Sequence, residues 1–137
     1  MCAMASFIQT SQGISNNYGY IEAMEIYGYS QGNIARAMLA LTDSRAFLRD
    51  MVSAETKNDL EGREKNLASA QQRYLDQLAE IKATVVEDSE KEIVTRLESS
   101  VNEFFAAETR WAAALMSASN RESLRGEMNA EVDRLYT

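Results

Sequence analysis

The sequence contains no proline and no histidine, and it has one cysteine and six glycines in 137 residues. Inside a helix, proline costs roughly 3 kcal/mol and glycine roughly 1 kcal/mol relative to alanine. The stretch from Arg63 to Arg125 contains neither residue, which predicts long, uninterrupted helices. With 45% hydrophobic residues, the length suits one domain with a single modest core. We expect one all-α domain over residues 1–137, with residues 1–19 as a frayed or expression-derived start.

The missing residue types also remove most catalytic and metal chemistry. The single Cys2 can form no internal disulfide, and the sequence has no histidine to act as a general base or metal ligand. It also has no glycine-rich loop of the kind that binds phosphates. We therefore expect a protein that is not an enzyme and that has no metal and no cofactor.

Charge and hydropathy limit the possible partners. The net charge of -7 disfavours nucleic acid, whose phosphates would be repelled by this average surface. No apolar run approaches the roughly 20 residues that a helix needs to cross a bilayer. We expect contact with a membrane only through flanking segments that lie outside this sequence.

Helix boundaries are indicated by polar capping residues. The first helix is predicted to end near Val52, and Thr56 with Asp59 forms a weak capping box for the second. Ser119 with Glu122 forms another box before the last helix. Because the spacers between helices are short, sequential helices should be antiparallel. The sequence predicts an up-down-up-down four-helix bundle with a long first helix and a short fourth helix.

Apolar residues recur at the spacing of bundle helices. The steps of three, four and seven residues place them on one face of each helix. The members are Leu60, Leu67, Tyr74, Leu78, Ile81 and Val85 in the second helix, Val94, Leu97, Val101, Phe104 or Phe105, Trp111 and Leu115 in the third, and Leu124, Met128, Val132 and Leu135 in the fourth.

The longest apolar stripe, from Tyr20 to Val52, is interrupted by a basic residue. Arg45 occupies a position of this stripe where an apolar residue is expected. Arg49 lies one turn further on and Thr42 about one turn before, so two guanidinium groups and a hydroxyl share one side of the helix. A charge in such a position costs stability unless it is paired. Its partner is either an acidic side chain of the bundle or an anionic ligand.

Glu108 is an acidic residue on the apolar stripe of the third helix. One interpretation is that it neutralises Arg45 or Arg49 inside the bundle. The other is a metal site made of carboxylates alone, because the Glu-x-x-His motifs of di-iron bundles require histidine.

Three segments together resemble a known family. They are residues 33–50, the second helix with its Gly-Arg-Glu-Lys-Asn-Leu run over 62–67 and Tyr74, and Trp111 late in the third helix. This pattern, which covers about residues 21–136, resembles the extracytoplasmic four-helix-bundle sensor domain of methyl-accepting chemotaxis receptors. In aspartate receptors of this superfamily, a Ser-Arg-x-x-x-Arg stretch supplies arginines to a ligand at the dimer interface. Residues 44–49 have this form, although Ala40 replaces a third arginine expected five residues earlier.

The resemblance implies a ligand-binding domain displayed outside the cytoplasmic membrane, in the periplasm or the extracellular space. It would sense a small anionic metabolite, of the organic acid or amino acid type, and signal by a small shift of the fourth helix relative to the first. The alternatives are the sensor domain of a histidine kinase and a helical protein–protein interaction module that binds no small molecule. The implied ligand-binding residues are Thr42, Arg45, Arg49, Trp111, Ser117, Ser119 and Asn120.

The first stripe also predicts the assembly of the domain. It extends over more turns than three partner helices of one bundle could cover, and Gly28 and Gly32 would permit close approach. We therefore expect a parallel homodimer packed through helix 1.

Overall fold

A computed structural model describes residues 31–85 and 88–136. These residues form four α-helices, α1 (Gln31–Val52), α2 (Lys57–Thr84), α3 (Asp88–Ser117) and α4 (Arg125–Tyr136), and a 3-10 helix (Arg121–Leu124) that precedes α4. No strand occurs in this part of the chain, which confirms the all-α class. The predicted start over residues 1–19 and the stripe from Tyr20 to Gly28 lie outside the described residues.

The second helix begins at the cap that the sequence predicts. Thr56 is the N-cap of α2, and its hydroxyl oxygen accepts a hydrogen bond from the backbone N–H of Asp59 at 3.0 Å. The carboxylate of Asp59 in turn accepts a bond from the backbone N–H of Glu55 at 3.4 Å. Two backbone donors near the helix start are therefore satisfied by side chains.

We expect Thr56→Ala to lower the free energy of unfolding by about 1 kcal/mol, because the backbone N–H of Asp59 loses its acceptor. Chemical denaturation measures this change. The matched control is Thr95→Ala on the exposed side of α3, where the threonine hydroxyl donates to the carbonyl of Lys91. Equal losses for the two variants would show that the cap contributes nothing specific.

The start of the last helix differs from the prediction. Asn120 is the residue that precedes the 3-10 helix, and no side chain caps this end. Glu122 instead accepts two bonds from the guanidinium of Arg125, at 2.7 and 3.0 Å. The predicted capping box of Ser119 and Glu122 is wrong, because a charge-assisted bidentate pair is a stronger partner for a carboxylate than a single backbone N–H.

Most of the predicted stripes form the core. In α2, α3 and α4 the residues at heptad spacing are buried, while three residues at the fringe of the stripes, Trp111, Leu124 and Leu135, are partly buried against them. The fully buried large side chains from these helices include Tyr74, Leu78, Ile81, Ile93, Leu97, Phe104, Leu115 and Met128.

In α1 the centre of the buried face is displaced from the predicted stripe. Ser44 is fully buried, whereas the side chain of Arg45 is 22% exposed. The buried positions alternate in steps of three and four through Ile34, Ala37, Leu41, Ser44, Leu48 and Met51. Arg45 therefore lies at the edge of the buried face, and the polar residue at its centre is the small, neutral Ser44. An arginine at the edge can keep its charged end near water, which the centre does not allow.

The helix contacts bring the end of α1 next to the start of the last helix. α1 packs against α2, α3 contacts α1, α2 and α4, and α4 also contacts α1. At the end of α1, the guanidinium of Arg121 donates to the carbonyl of Val52 at 3.4 Å and to the carbonyl of Ala54. The opening of the last helix is thereby held against the end of α1.

Candidate anion-binding site

Arg45 and Arg49 converge on one carboxylate. Successive turns of α1 bring both guanidinium groups to the same side of the helix, where Asp133 of α4 faces them. Nη2 of Arg45 lies 2.7 Å from Oδ1 of Asp133, and Nη2 of Arg49 lies 2.8 Å from the same oxygen. The side chains of Arg49 and Asp133 are 43% and 50% exposed. The cluster is a partly solvated ion-pair network between α1 and α4.

The last turn of α4 holds Arg45 by a second contact. The guanidinium carbon of Arg45 lies 4.1 Å from the ring centroid of Tyr136, the geometry of a cation–π interaction. The ring of Tyr136 packs in turn against Phe104 of α3, with centroids 6.0 Å apart. Arg45 is therefore oriented from both sides, by a carboxylate and by an aromatic face.

The cluster has more positive than negative groups. Among residues 31–85 and 88–136, Asp133 is the only carboxylate paired with either arginine. Two guanidinium groups facing one carboxylate leave one positive charge in excess. The Nε of Arg45 is also buried and donates to no acceptor in the described part of the chain. This local excess on a chain of net charge -7 makes the cluster a candidate site for an anion.

Glu108 does not pair with the arginines by an ion pair. It is fully buried, and its carboxylate accepts bonds from Ser44 of α1 at 3.1 Å and from Gln71 of α2 at 3.2 Å. Asp133 holds the position that we predicted for Glu108, because the edge of α1 on which Arg45 lies faces α4, whereas its centre faces Glu108. A carboxylate-only metal site is not supported either, since no group of three or more candidate ligands occurs among the described residues.

Burial dominates the proton affinity of Glu108. Removal of the carboxylate from water raises its pKa to about 7, and the bonds from Gln71 and Ser44 and the charge of Arg45 oppose this rise only in part. The hydroxyl of Ser44 also lies 2.9 Å from the carbonyl of Leu41, and it has one proton for the two acceptors. Both hydrogen bonds can form at once when Glu108 is protonated. The carboxyl O–H then donates to the hydroxyl oxygen of Ser44, and the hydroxyl of Ser44 donates to the carbonyl of Leu41.

The other predicted ligand-binding residues form no hydrogen bond with the arginines in the described part of the chain. Thr42 is exposed, and its hydroxyl donates to the carbonyl of Met38. Trp111 is partly buried against the core, and its indole N–H is buried without an acceptor among the described residues. Ser119 and Asn120 are exposed in the turn before α4, and the hydroxyl of Ser117 is within reach of carbonyls in the last turn of α3.

Two members of the site were missed in the sequence. Asp133 and Tyr136 are in the last turns of α4, and Asp133 directly follows the buried Val132. A charged residue that directly follows a buried one lies about 100° further around the helix, at the edge of the buried face. Asp133 after Val132 and Arg45 after Ser44 both have this placement. The sequence alone does not show that these two edges face each other, because that depends on the rotation of α1 in the bundle.

In the part of the chain that the structure describes, no helix is long and apolar enough to cross a membrane. Comparison of the chain with family models, curated proteins and solved structures finds no significant match.

Proposed function

We propose that this chain is the extracytoplasmic ligand-binding domain of a transmembrane chemoreceptor, which senses a small anionic metabolite at Arg45 and Arg49. The observation that carries the proposal is the convergence of two guanidinium groups on a single carboxylate oxygen. Guanidinium groups recognise carboxylates through charge-assisted hydrogen bonds. The carboxylate of Asp133 marks the position that a ligand carboxylate would take.

The proposed architecture is an up-down-up-down bundle with a long first helix and a short fourth helix. Contacts between neighbouring helices support this architecture. As the residue number rises along one helix, the number of its contact partner on the next helix falls, which is the pattern of antiparallel helices. Thus Arg36 bonds to Gln77 and Asp43 to Arg73 between α1 and α2, and Lys82 bonds to Glu98 and Gln71 to Glu108 between α2 and α3. Between α3 and α4, Phe104 packs on Tyr136 and Arg110 pairs with Glu131.

The position of Asp133 suggests how binding would be transmitted. An anion that binds Arg45 and Arg49 competes with Asp133, which lies on α4. Displacement of Asp133 removes a contact that holds α4 against α1, and the ligand therefore favours an arrangement in which α4 has shifted. The differential affinity of the ligand for the two arrangements sets the size of the signal.

We also propose the parallel homodimer through α1. Its support is the small, exposed side chains of Thr42 and Ala46 in the second half of α1, which permit close approach of a second α1 there. Sedimentation at high protein concentration, with and without an anion that binds, is expected to show dimers. A monomer under all of these conditions would contradict this assembly.

The second candidate function is a helical protein–protein interaction module, and one observation favours it. Both arginines already have an acidic partner in the described chain, as expected for an ion pair that only joins two helices. Such a module needs no small ligand at the cluster.

A thermal-shift screen against organic acids, amino acids and nucleobases separates the two functions. A ligand that binds only the folded state raises the melting temperature by mass action. The chemoreceptor domain is expected to respond to at least one carboxylate, and the Arg49→Ala variant should lose that response. If no carboxylate shifts the melting temperature, or if Arg49→Ala responds unchanged, the anion-sensing proposal is wrong.

A further inference from the structure

A cleft that is separate from the Arg45 and Arg49 cluster lies between α1 and α2. It has a volume of about 250 Å³ and is lined by Arg36, Leu39, Arg73, Asp76 and Gln77. Arg36 and Arg45 are nine residues apart on α1, which is about 14 Å along the helix axis. The cleft suits a ligand smaller than a typical drug-sized molecule.

Two opposite charges line this cleft without pairing with each other. The guanidinium of Arg36 donates to the amide oxygens of Gln77, at 3.3 Å, and of Asn33, and it meets no carboxylate among the described residues. Asp76 accepts a bond from the amide of Gln72 at 3.0 Å and meets no cation in the same part of the chain. Each charge is held by neutral groups, so that both charges remain available to a ligand.

The remaining lining residues limit the ligand further. Arg73 is already neutralised by Asp43, whose carboxylate lies 3.3 Å from it, so that the charges left over are one positive and one negative. A ligand with only a carboxylate or only an ammonium group would meet a like charge in the cleft. A zwitterion meets an opposite charge at each end.

Leu39 supplies an apolar contact in the same cleft. Its side chain is 57% exposed, the largest exposure recorded for a large apolar residue in the described chain. Covering this surface with an apolar group of a ligand is favourable because it removes apolar area from water. The combination of charges and an exposed leucine selects for a zwitterion that also carries an apolar group.

We propose that the cleft between α1 and α2 binds a small apolar zwitterion of the size of leucine, with its carboxylate on Arg36, its ammonium on Asp76 and its apolar group on Leu39. This inference goes beyond the proposed function, since it places a ligand at a different site, where an ammonium group and an apolar group are recognised as well as a carboxylate.

Isothermal titration calorimetry of the full chain carrying Arg45→Ala, which removes the first anion site, tests the proposal with leucine and two analogues. Isocaproate lacks the ammonium group and isoamylamine lacks the carboxylate, and each is expected to bind about tenfold or more weakly than leucine. Arg36→Gln should weaken leucine binding by a similar factor. Arg110→Gln, which removes an exposed arginine on α3, and Arg45→Ala should leave leucine binding unchanged.

Four outcomes would overturn the proposal. They are no binding at millimolar leucine, binding of either analogue as tightly as leucine, unchanged binding in Arg36→Gln, and loss of leucine binding in Arg45→Ala. The last outcome would place leucine at the other site. Circular dichroism of each variant checks that it is folded, and the exposed position of Arg36 favours this. Because Arg45→Ala removes only the first site, the two proposals can fail independently.

Discussion

Glu108→Gln is expected to stabilise the domain by about 3 kcal/mol above pH 7 and to remove most of the pH dependence of its stability between about pH 4.5 and pH 7. The glutamine resembles the protonated carboxyl group in shape and charge. Its amide N–H can donate to Ser44, and its oxygen can accept from Gln71, so that both bonds of the native site are kept.

The sign of this effect follows from the two pKa values of Glu108. The carboxyl group titrates near 4.5 in the unfolded chain, whereas burial raises its pKa to about 7 in the folded chain. Between these values the folded state binds more protons, and stability therefore falls as pH rises through this window. Below about pH 4.5 both states are protonated, and the difference vanishes.

Urea denaturation at several pH values between 4 and 8 measures the contribution of Glu108. The matched control is Glu103→Gln, which changes an exposed acidic residue of the same helix and should leave the pH profile as it is in the native chain. If the stability of Glu108→Gln depends on pH as that of the native chain does, or if this variant is less stable than the native chain at pH 8, ionisation of the buried carboxyl group does not destabilise the fold.

Opposite effects on anion affinity are expected when the two sides of the α1–α4 cluster are changed. Arg45→Ala should weaken the binding of a carboxylate from the screen by about 2 to 4 kcal/mol, because a charged hydrogen-bond donor is lost. Asp133→Asn should strengthen binding several-fold, because it removes the internal competitor for the same two guanidinium groups. The empty variants should lose little stability, since partly exposed ion pairs contribute about 0 to 1 kcal/mol.

Titration calorimetry with the same carboxylate measures both changes. Glu127→Gln is the control for Asp133→Asn, as it removes an exposed acidic residue of α4, and Arg134→Ala is the control for Arg45→Ala. If Asp133→Asn binds the carboxylate no better than Glu127→Gln does, Asp133 does not compete for the site. If Arg45→Ala binds as tightly as the native chain, the ligand lies elsewhere.

The helices were largely predictable because their signals are local. The cap at Thr56 and the heptad spacing of Leu60, Leu67, Tyr74 and Ile81 depend on residues within a few turns of one helix, and the structure agrees with both. The Ser119 cap failed because Arg125, also nearby, competes for Glu122.

The partners of the charged residues could not be predicted in the same way. Whether Arg45 meets Glu108 or Asp133 depends on the rotation of α1 by less than a third of a turn, since Ser44 and Arg45 differ by about 100° around the helix. Ser44 and Arg45 each fit the steps of three and four residues between Leu41 and Leu48. The spacing alone therefore does not show which of the two is buried. Only the packing of four helices determines which one faces the core.

Amide hydrogen exchange with and without a bound carboxylate tests the central claim most directly. If the anion displaces Asp133 from Arg45 and Arg49, the amides of the last turns of α4 should exchange faster in the complex, while those around Arg45 should exchange more slowly. Equal protection of α1 and α4 by the ligand, or no change in α4, would contradict the account.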